Sequence, residues 1–145
     1  MILKMFDNYN LKIRTVAFYI SDKPTIDYVP AEQPLKNMAH TVRNPIHTDI
    51  SPKQARINLP ILNTKGTYTR FFTTCKVVPW PNSLPGTEFG IVINRDYVEV
   101  DAIEMTKTTV MRVQEPHMVQ IYEGSILPRV TITLGFDIDP VYLIE

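Results

Sequence analysis

The stretch "RVTITLG", Arg129 to Gly135, decides the fold because apolar and polar side chains alternate along it. In an extended strand Val130, Ile132 and Leu134 face one side of a sheet, and the threonines between them face the other. The stretch "DYVEVDA", Asp96 to Ala102, alternates in the same way. Each stretch predicts a β-strand with one buried face and one solvated face.

The composition extends this pattern to the whole chain. Val, Ile and Thr make up 44 of the 145 residues, whereas Ala contributes only 5. Such β-branched side chains pack well on a pleated sheet and lose rotamer freedom in helices. Further strands are predicted, separated by turn-forming residues, at Leu11–Ile20, Thr67–Val78, Glu88–Ile93, Thr108–Val113 and Met118–Tyr122. We predict one all-β domain over residues 1–145, an antiparallel sandwich or distorted barrel of about seven strands with at most two short helical turns.

The segment Pro24–Pro60 differs from the rest because it holds six of the twelve prolines. Proline cannot donate to a strand ladder, so we predict a proline-rich arm or long irregular loop, with short helical turns after Pro34 and Ser51. Its apolar side chains need a surface to pack on, either a neighbouring subunit or the sheet of their own chain. The candidate interaction residues of this arm are Ile26, Tyr28, Val29, Leu35, Met38, Ile46 and Ile50.

Residue types that carry chemistry are few. Cys75 is the only cysteine, which excludes an internal disulfide and a cysteine-based zinc cluster. His40, His47 and Asp49 are of types that bind zinc or iron, but their spacing matches no metal signature. We interpret the two histidines as solvated or hydrogen-bonded loop residues and His117, after a proline, as a turn residue. The sequence therefore predicts no catalytic residue, no metal and no cofactor.

The only tryptophan, Trp80, stands between two prolines in "VVPWPNSLPG". The flanking prolines fix the backbone, so the indole is either a platform for a sugar or a peptide, or a stiff corner packed on the core or on a partner subunit. The apolar neighbours favour the corner. Under the platform alternative, the protein is a carbohydrate- or peptide-binding β-module in which Trp80 acts with Tyr68, Tyr97 or Tyr122.

Charge and hydropathy limit the partners. Fifteen basic and fifteen acidic residues, without a basic block, make nucleic acid an unlikely partner. No 18-residue apolar run and no secretion signal occur, so we expect no membrane contact and a location in a virion or the cytoplasm. From these features we predict a non-enzymatic structural subunit of a larger homo- or hetero-oligomeric assembly, such as a virion capsid or tail.

Overall fold

The computed structural model describes residues 9–25, 45–49, 55–79, 89–93 and 96–143. These residues form ten β-strands and one 3-10 helix, η1. The elements are β1 (Ile13–Ser21), β2 (His47–Asp49), β3 (Ala55–Leu62), β4 (Thr67–Thr73), β5 (Val77–Pro79), β6 (Phe89–Val92), β7 (Val98–Glu104), β8 (Thr109–Arg112), β9 (His117–Ile121), β10 (Arg129–Phe136) and η1 (Pro140–Leu143).

The strands form two antiparallel sheets that pack face to face. The four-stranded sheet has the order β1-β10-β3-β8, and the six-stranded sheet has the order β5-β6-β2-β9-β4-β7. The predicted all-β sandwich is confirmed. Within the described residues there is no helix of the length and hydropathy that crossing a bilayer requires.

The alternating stretch Arg129–Gly135 lies in β10, and the register of β10 with its neighbours shows where its two faces point. Val16 of β1, Leu134 of β10, Ile57 of β3 and Val110 of β8 are cross-strand neighbours in one row. Cross-strand neighbours share a face. The threonines Thr131 and Thr133 lie on the opposite face and line a cavity between the two sheets. The apolar face of the four-stranded sheet is therefore its outer face.

That outer face carries one of two hydrophobic clusters. Its buried members are Leu11, Ile57, Leu134 and Phe136, and Leu143 of η1 packs against them. The helix η1 thus covers only one part of the face. The second cluster lies against the six-stranded sheet and consists of the buried residues Ile46, Phe72, Ile91, Val92 and Met118, with Cys75 and Tyr97 packed against it.

Two strands lie inside the segment Pro24–Pro60, where the sequence predicts mostly irregular chain. That prediction was wrong for β2 and for the first six residues of β3. Pro60 argues against a strand, but the sheet accommodates this proline. β8 pairs with β3 only as far as Asn58, so on that side Pro60 lies beyond the ladder, where no donor is required.

The candidate arm residues are only partly described. Ile46 is 1 % exposed and packs within the cluster of its own six-stranded sheet. At the start of the segment, the Thr25 amide donates to the Ile121 carbonyl at 2.9 Å. Both contacts favour packing on the same chain. Ile26, Tyr28, Val29, Leu35, Met38 and Ile50 lie outside the described residues, as does the turn predicted after Pro34. Of the turn predicted over 51–56, residues 51–54 lie outside them too, and the prediction was wrong for Ala55 and Arg56, which begin β3.

Candidate metal centre

Two histidines and one aspartate meet on the inner face of the six-stranded sheet. His47 and Asp49 are two residues apart on β2, so their side chains point to the same side. His117 of β9 is the register partner of His47. One ligand atom from each of the three side chains lies within 4.8 Å of the other two. Ligands of one shared ion lie roughly 3–3.5 Å apart, so a modest rotation of these side chains brings them to a common ion.

Backbone carbonyls fix both imidazoles in the same tautomer. His47 Nδ1 donates to the Pro45 carbonyl oxygen at 2.7 Å, and His117 Nδ1 donates to the Glu115 carbonyl oxygen at 2.8 Å. Because a carbonyl only accepts, each Nδ1 carries the proton and each Nε2 carries the lone pair. Metal-binding histidines nearly always donate their other ring nitrogen in this way. The two ring centroids are 4.4 Å apart, so both lone pairs serve one small site.

Burial keeps His117 in the form that a metal needs. Burial, together with the neighbouring His47, lowers the pKa of His117 to about 3, so the ring is neutral near pH 7. A neutral imidazole is the metal-binding form. Burial raises the pKa of Asp49, while His47 and Arg56 act in the opposite direction. The site thus combines two imidazoles with a half-buried carboxyl group.

The three side chains open into a cavity of about 150 Å³ between the sheets. Its lining comes from both sheets and includes Tyr19, Ser21, His47, Asp49, Asn58, Thr69, Met105, Met111, Val113, His117, Val119, Arg129, Thr131 and Thr133. Within the described part of the chain, the buried Thr69 hydroxyl has no hydrogen-bond partner. A cavity of this size, lined in part by polar side chains and with an unpaired hydroxyl, is suited to waters or a small polar ligand.

A buried cation lies in the same cavity wall. Arg129, the first residue of β10, is 3 % exposed. Its Nε donates to the Thr67 hydroxyl at 3.1 Å and its Nη1 to the Thr131 hydroxyl at 3.3 Å. No carboxylate among the described residues pairs with it, and burial lowers the pKa of the guanidinium. The two side-chain bonds seen for this guanidinium in the described ranges are to hydroxyls, and its fork of donors matches the geometry of a carboxylate.

Two of these three residues, His47 and Asp49, are candidate metal ligands by sequence, but the sequence groups them differently. It set His47 and Asp49 beside His40, which lies outside the described residues. The structure instead pairs them with His117. His117 is not a turn residue: it begins β9 and is 6 % exposed. The available local signal was the pattern His-x-Asp in "HTD", because residues two apart on a strand share a face.

Three of the aromatic residues named for a binding module are described, and they do not all lie together. Tyr68 and Tyr122 contact each other edge to face, with ring centroids 6.1 Å apart. Tyr97 packs elsewhere, edge to face against the core residue Phe72 at 5.4 Å. Trp80 lies outside the described residues. Of the four side chains, only Tyr68 and Tyr122 are seen together.

Comparison with known proteins gives no relative whose activity bears on this centre. The chain matches no protein-family model, no curated protein and no solved structure.

Proposed function

We propose that this protein is a metal-dependent oxygenase of the non-haem iron(II) class, with His47, Asp49 and His117 as the metal ligands. One observation carries the proposal: the three ligand atoms converge within 4.8 Å at a cavity, and both histidines are held by carbonyls in the ligating tautomer. Two histidines and one carboxylate on one face of the metal are typical of iron(II) oxygenases, where the remaining positions stay open for O2 and a co-substrate.

Zinc hydrolases use similar ligands, but the residues that line this cavity fit an oxygenase better than a hydrolase. Zinc hydrolases with three protein ligands also need a general base for the metal-bound water. Among the described residues that line the cavity, Asp49 is the only carboxylate, and the metal would take it. What the cavity offers in addition is the cation Arg129. The site is therefore better equipped to hold an anionic co-substrate than to deprotonate a water.

Electron balance identifies the class of that co-substrate. When one atom of O2 enters a C–H bond, the other atom must be reduced, and two electrons must come from a second molecule. A 2-oxo acid provides them: it loses CO2 and takes up the second oxygen atom as the new carboxylic acid. A 2-oxo dicarboxylic acid carries groups for both parts of this cavity: its 2-oxo acid end would lie at the metal held by His47, Asp49 and His117, and its other carboxylate would pair with Arg129.

Metal titration tests the ligand set directly. We expect wild-type protein to bind one Fe(II), or the redox-stable Mn(II), in anaerobic calorimetry, and His47→Ala and His117→Ala to lose that binding. His40→Ala is the matched control, because His40 is the only other histidine of the chain and should bind as wild type. Binding that survives both ligand substitutions, or is lost only in the His40 variant, would refute the centre.

Turnover tests the chemistry. With Fe(II), O2 and 2-oxoglutarate, we expect slow release of CO2 and succinate even without a primary substrate, and none from His47→Ala. Arg129→Met should retain the metal and lose 2-oxoglutarate binding. If the metal binds but 2-oxo acids neither bind nor decompose, the centre exists and the oxygenase assignment is wrong.

A second proposal concerns assembly, in line with the structural subunit that the sequence predicts. The supporting observation is the outer face of β1, where three apolar side chains are more than half exposed: Val16, Phe18 and Ile20. Exposed apolar surface of this kind marks protein interfaces. An assembly role is compatible with catalysis, since Val16, Phe18 and Ile20 are not among the residues that line the cavity.

A further inference from the structure

The cavity wall contains a hydroxyl that the fold itself does not use. Thr69 of β4 is 1 % exposed, and within the described part of the chain its Oγ1 atom has no hydrogen-bond partner. Neighbouring threonines differ, since the Thr67 hydroxyl donates to the Thr64 carbonyl and the Thr133 hydroxyl donates to Asn58. A buried polar group without a partner costs free energy, so the Thr69 hydroxyl points to a ligand atom that completes it.

Strand register places this hydroxyl between the two parts of the site. Along the inner face of β4, Phe71 is the register partner of His117, and Thr69 comes next. Beyond it, the Thr67 hydroxyl accepts from Arg129 at 3.1 Å. Successive side chains on one face of a strand are roughly 7 Å apart. Thr69 therefore lies one position from the level of the candidate metal ligand and one position from the level of the buried cation.

The guanidinium of Arg129 has donors to offer at this place. Its Nε and Nη1 atoms donate to the hydroxyls of Thr67 and Thr131, and the described residues provide no acceptor for Nη2. A carboxylate has two oxygens, and each of them accepts hydrogen bonds. One oxygen that accepts from Nη2 and a second that accepts from Thr69 would satisfy both buried groups with a single ligand group.

We propose that Thr69 is a specificity-determining residue, whose hydroxyl donates to the distal carboxylate of the 2-oxo dicarboxylic acid that pairs with Arg129. The inference rests on the proposed oxygenase function and names a further residue of the same site. A site built to hydrogen-bond a ligand group strongly rejects an analogue that lacks this group, because its own polar groups are then left unpaired. The cavity thus selects 2-oxo diacids over 2-oxo acids that end in a methyl group.

A cycle that combines one change in the protein with one change in the ligand tests the contact. Calorimetry of the Mn(II)-loaded protein compares 2-oxoglutarate with 2-oxopentanoate, which has a methyl group in place of the distal carboxylate. We expect Thr69→Val to weaken 2-oxoglutarate binding about tenfold and to leave the weaker binding of 2-oxopentanoate unchanged. Thr69→Ser keeps the hydroxyl and should bind as wild type. Thr73→Val, at an exposed position of the same strand, is the matched control.

The stability of the ligand-free protein provides an independent measurement. Valine has nearly the shape of threonine without its hydroxyl, so Thr69→Val removes a buried polar group that has no partner. We therefore expect the urea midpoint of Thr69→Val to equal or exceed that of wild type. A clear decrease would show that the hydroxyl serves the fold, and it would overturn the proposal. Mn(II) affinity should be unchanged in every variant.

The outcomes separate this contact from the oxygenase proposal. Unchanged 2-oxoglutarate binding in Thr69→Val, or an equal loss for both 2-oxo acids, would overturn the role of Thr69 and leave the oxygenase proposal in place. If wild-type protein binds Mn(II) but not 2-oxoglutarate, the oxygenase proposal is wrong and the contact with Thr69 is wrong with it. Circular dichroism verifies that each variant is folded.

Discussion

Replacing Arg129 with methionine should remove ligand binding without weakening the fold. The substitution loses two hydrogen bonds, to the hydroxyls of Thr67 and Thr131 at 3.1 and 3.3 Å, each contributing about 1 kcal/mol. The Thr67 hydroxyl keeps its bond to the Thr64 carbonyl. Against this loss, burying a guanidinium without a carboxylate costs several kcal/mol. We therefore expect the free energy of unfolding to stay unchanged or to rise by up to about 3 kcal/mol.

Urea unfolding of the metal-free, ligand-free protein measures this balance, and thermal unfolding should show an increase of up to roughly 10 °C in Tm. The control Arg14→Met, at an exposed position of β1, should change stability by no more than about 0.5 kcal/mol. In the presence of Mn(II), Arg129→Met should bind 2-oxoglutarate at least about 30-fold more weakly, the loss of one charge-paired contact worth 2 kcal/mol or more. A loss of more than about 2 kcal/mol of stability, or unchanged affinity, would mean that Arg129 serves the fold and not a ligand.

Three further predictions address the packing and titration of the chain. Ile46→Ala should destabilise the isolated protein by about 2–4 kcal/mol, because Ile46 is buried in the core of the same chain. If urea unfolding is unchanged, Ile46 packs on a neighbouring subunit instead. Gly90→Ala should cost about 1–3 kcal/mol, because a Cβ there would lie 2.8 Å from the Thr48 hydroxyl and closer still to Val77; wild-type stability would show that β5 shifts freely. The folded pKa of His117, about 3, lies below its ordinary value, so the unfolded chain binds more protons between about pH 3 and 6.5 and the metal-free protein loses stability as the pH falls through that range. His117→Asn should flatten this dependence in urea titrations at about pH 7 and 4.5, and an equally steep variant would assign it to other groups.

The strands that the sequence predicts best are those in which a period of two runs without interruption. In β10 and β7 apolar and polar side chains alternate regularly, so the pattern alone identifies each strand. The buried face predicted for β7 was wrong, because Val98 and Val100 are 54 % and 61 % exposed. In β3 the same period is present in Ala55, Ile57 and Leu59, but Pro60 argues against a ladder. Only the pairing partners show that this proline has no donor to provide, and pairing partners are set by distant parts of the chain.

The candidate site was only half predictable, for a related reason. The placement of His47 and Asp49 on one face follows from strand geometry once β2 is recognised, and a strand of three residues gives almost no periodic signal. His117 joins them through the register of β2 with β9, and Arg129 through the packing of one sheet on the other. Neither the strand register nor the packing of the sheets can be predicted from the spacing of these residues in the sequence. No motif search along the chain would have assembled these four residues.

The alternation in β10 predicts which residues share a face, but it does not determine which face is buried. The sequence assigned burial to Val130, Ile132 and Leu134, whereas Thr131 is as buried as Leu134, at 4 % and 3 % exposed. A sandwich built for stability alone would turn the apolar face of this sheet inward and would not bury an imidazole, a guanidinium and an unpaired hydroxyl instead. Departures of this kind from locally favourable packing are expected where a protein binds ligands. The cavity between the sheets is therefore the part of this fold that stability does not explain, and the proposed metal and anionic co-substrate would account for its buried polar groups.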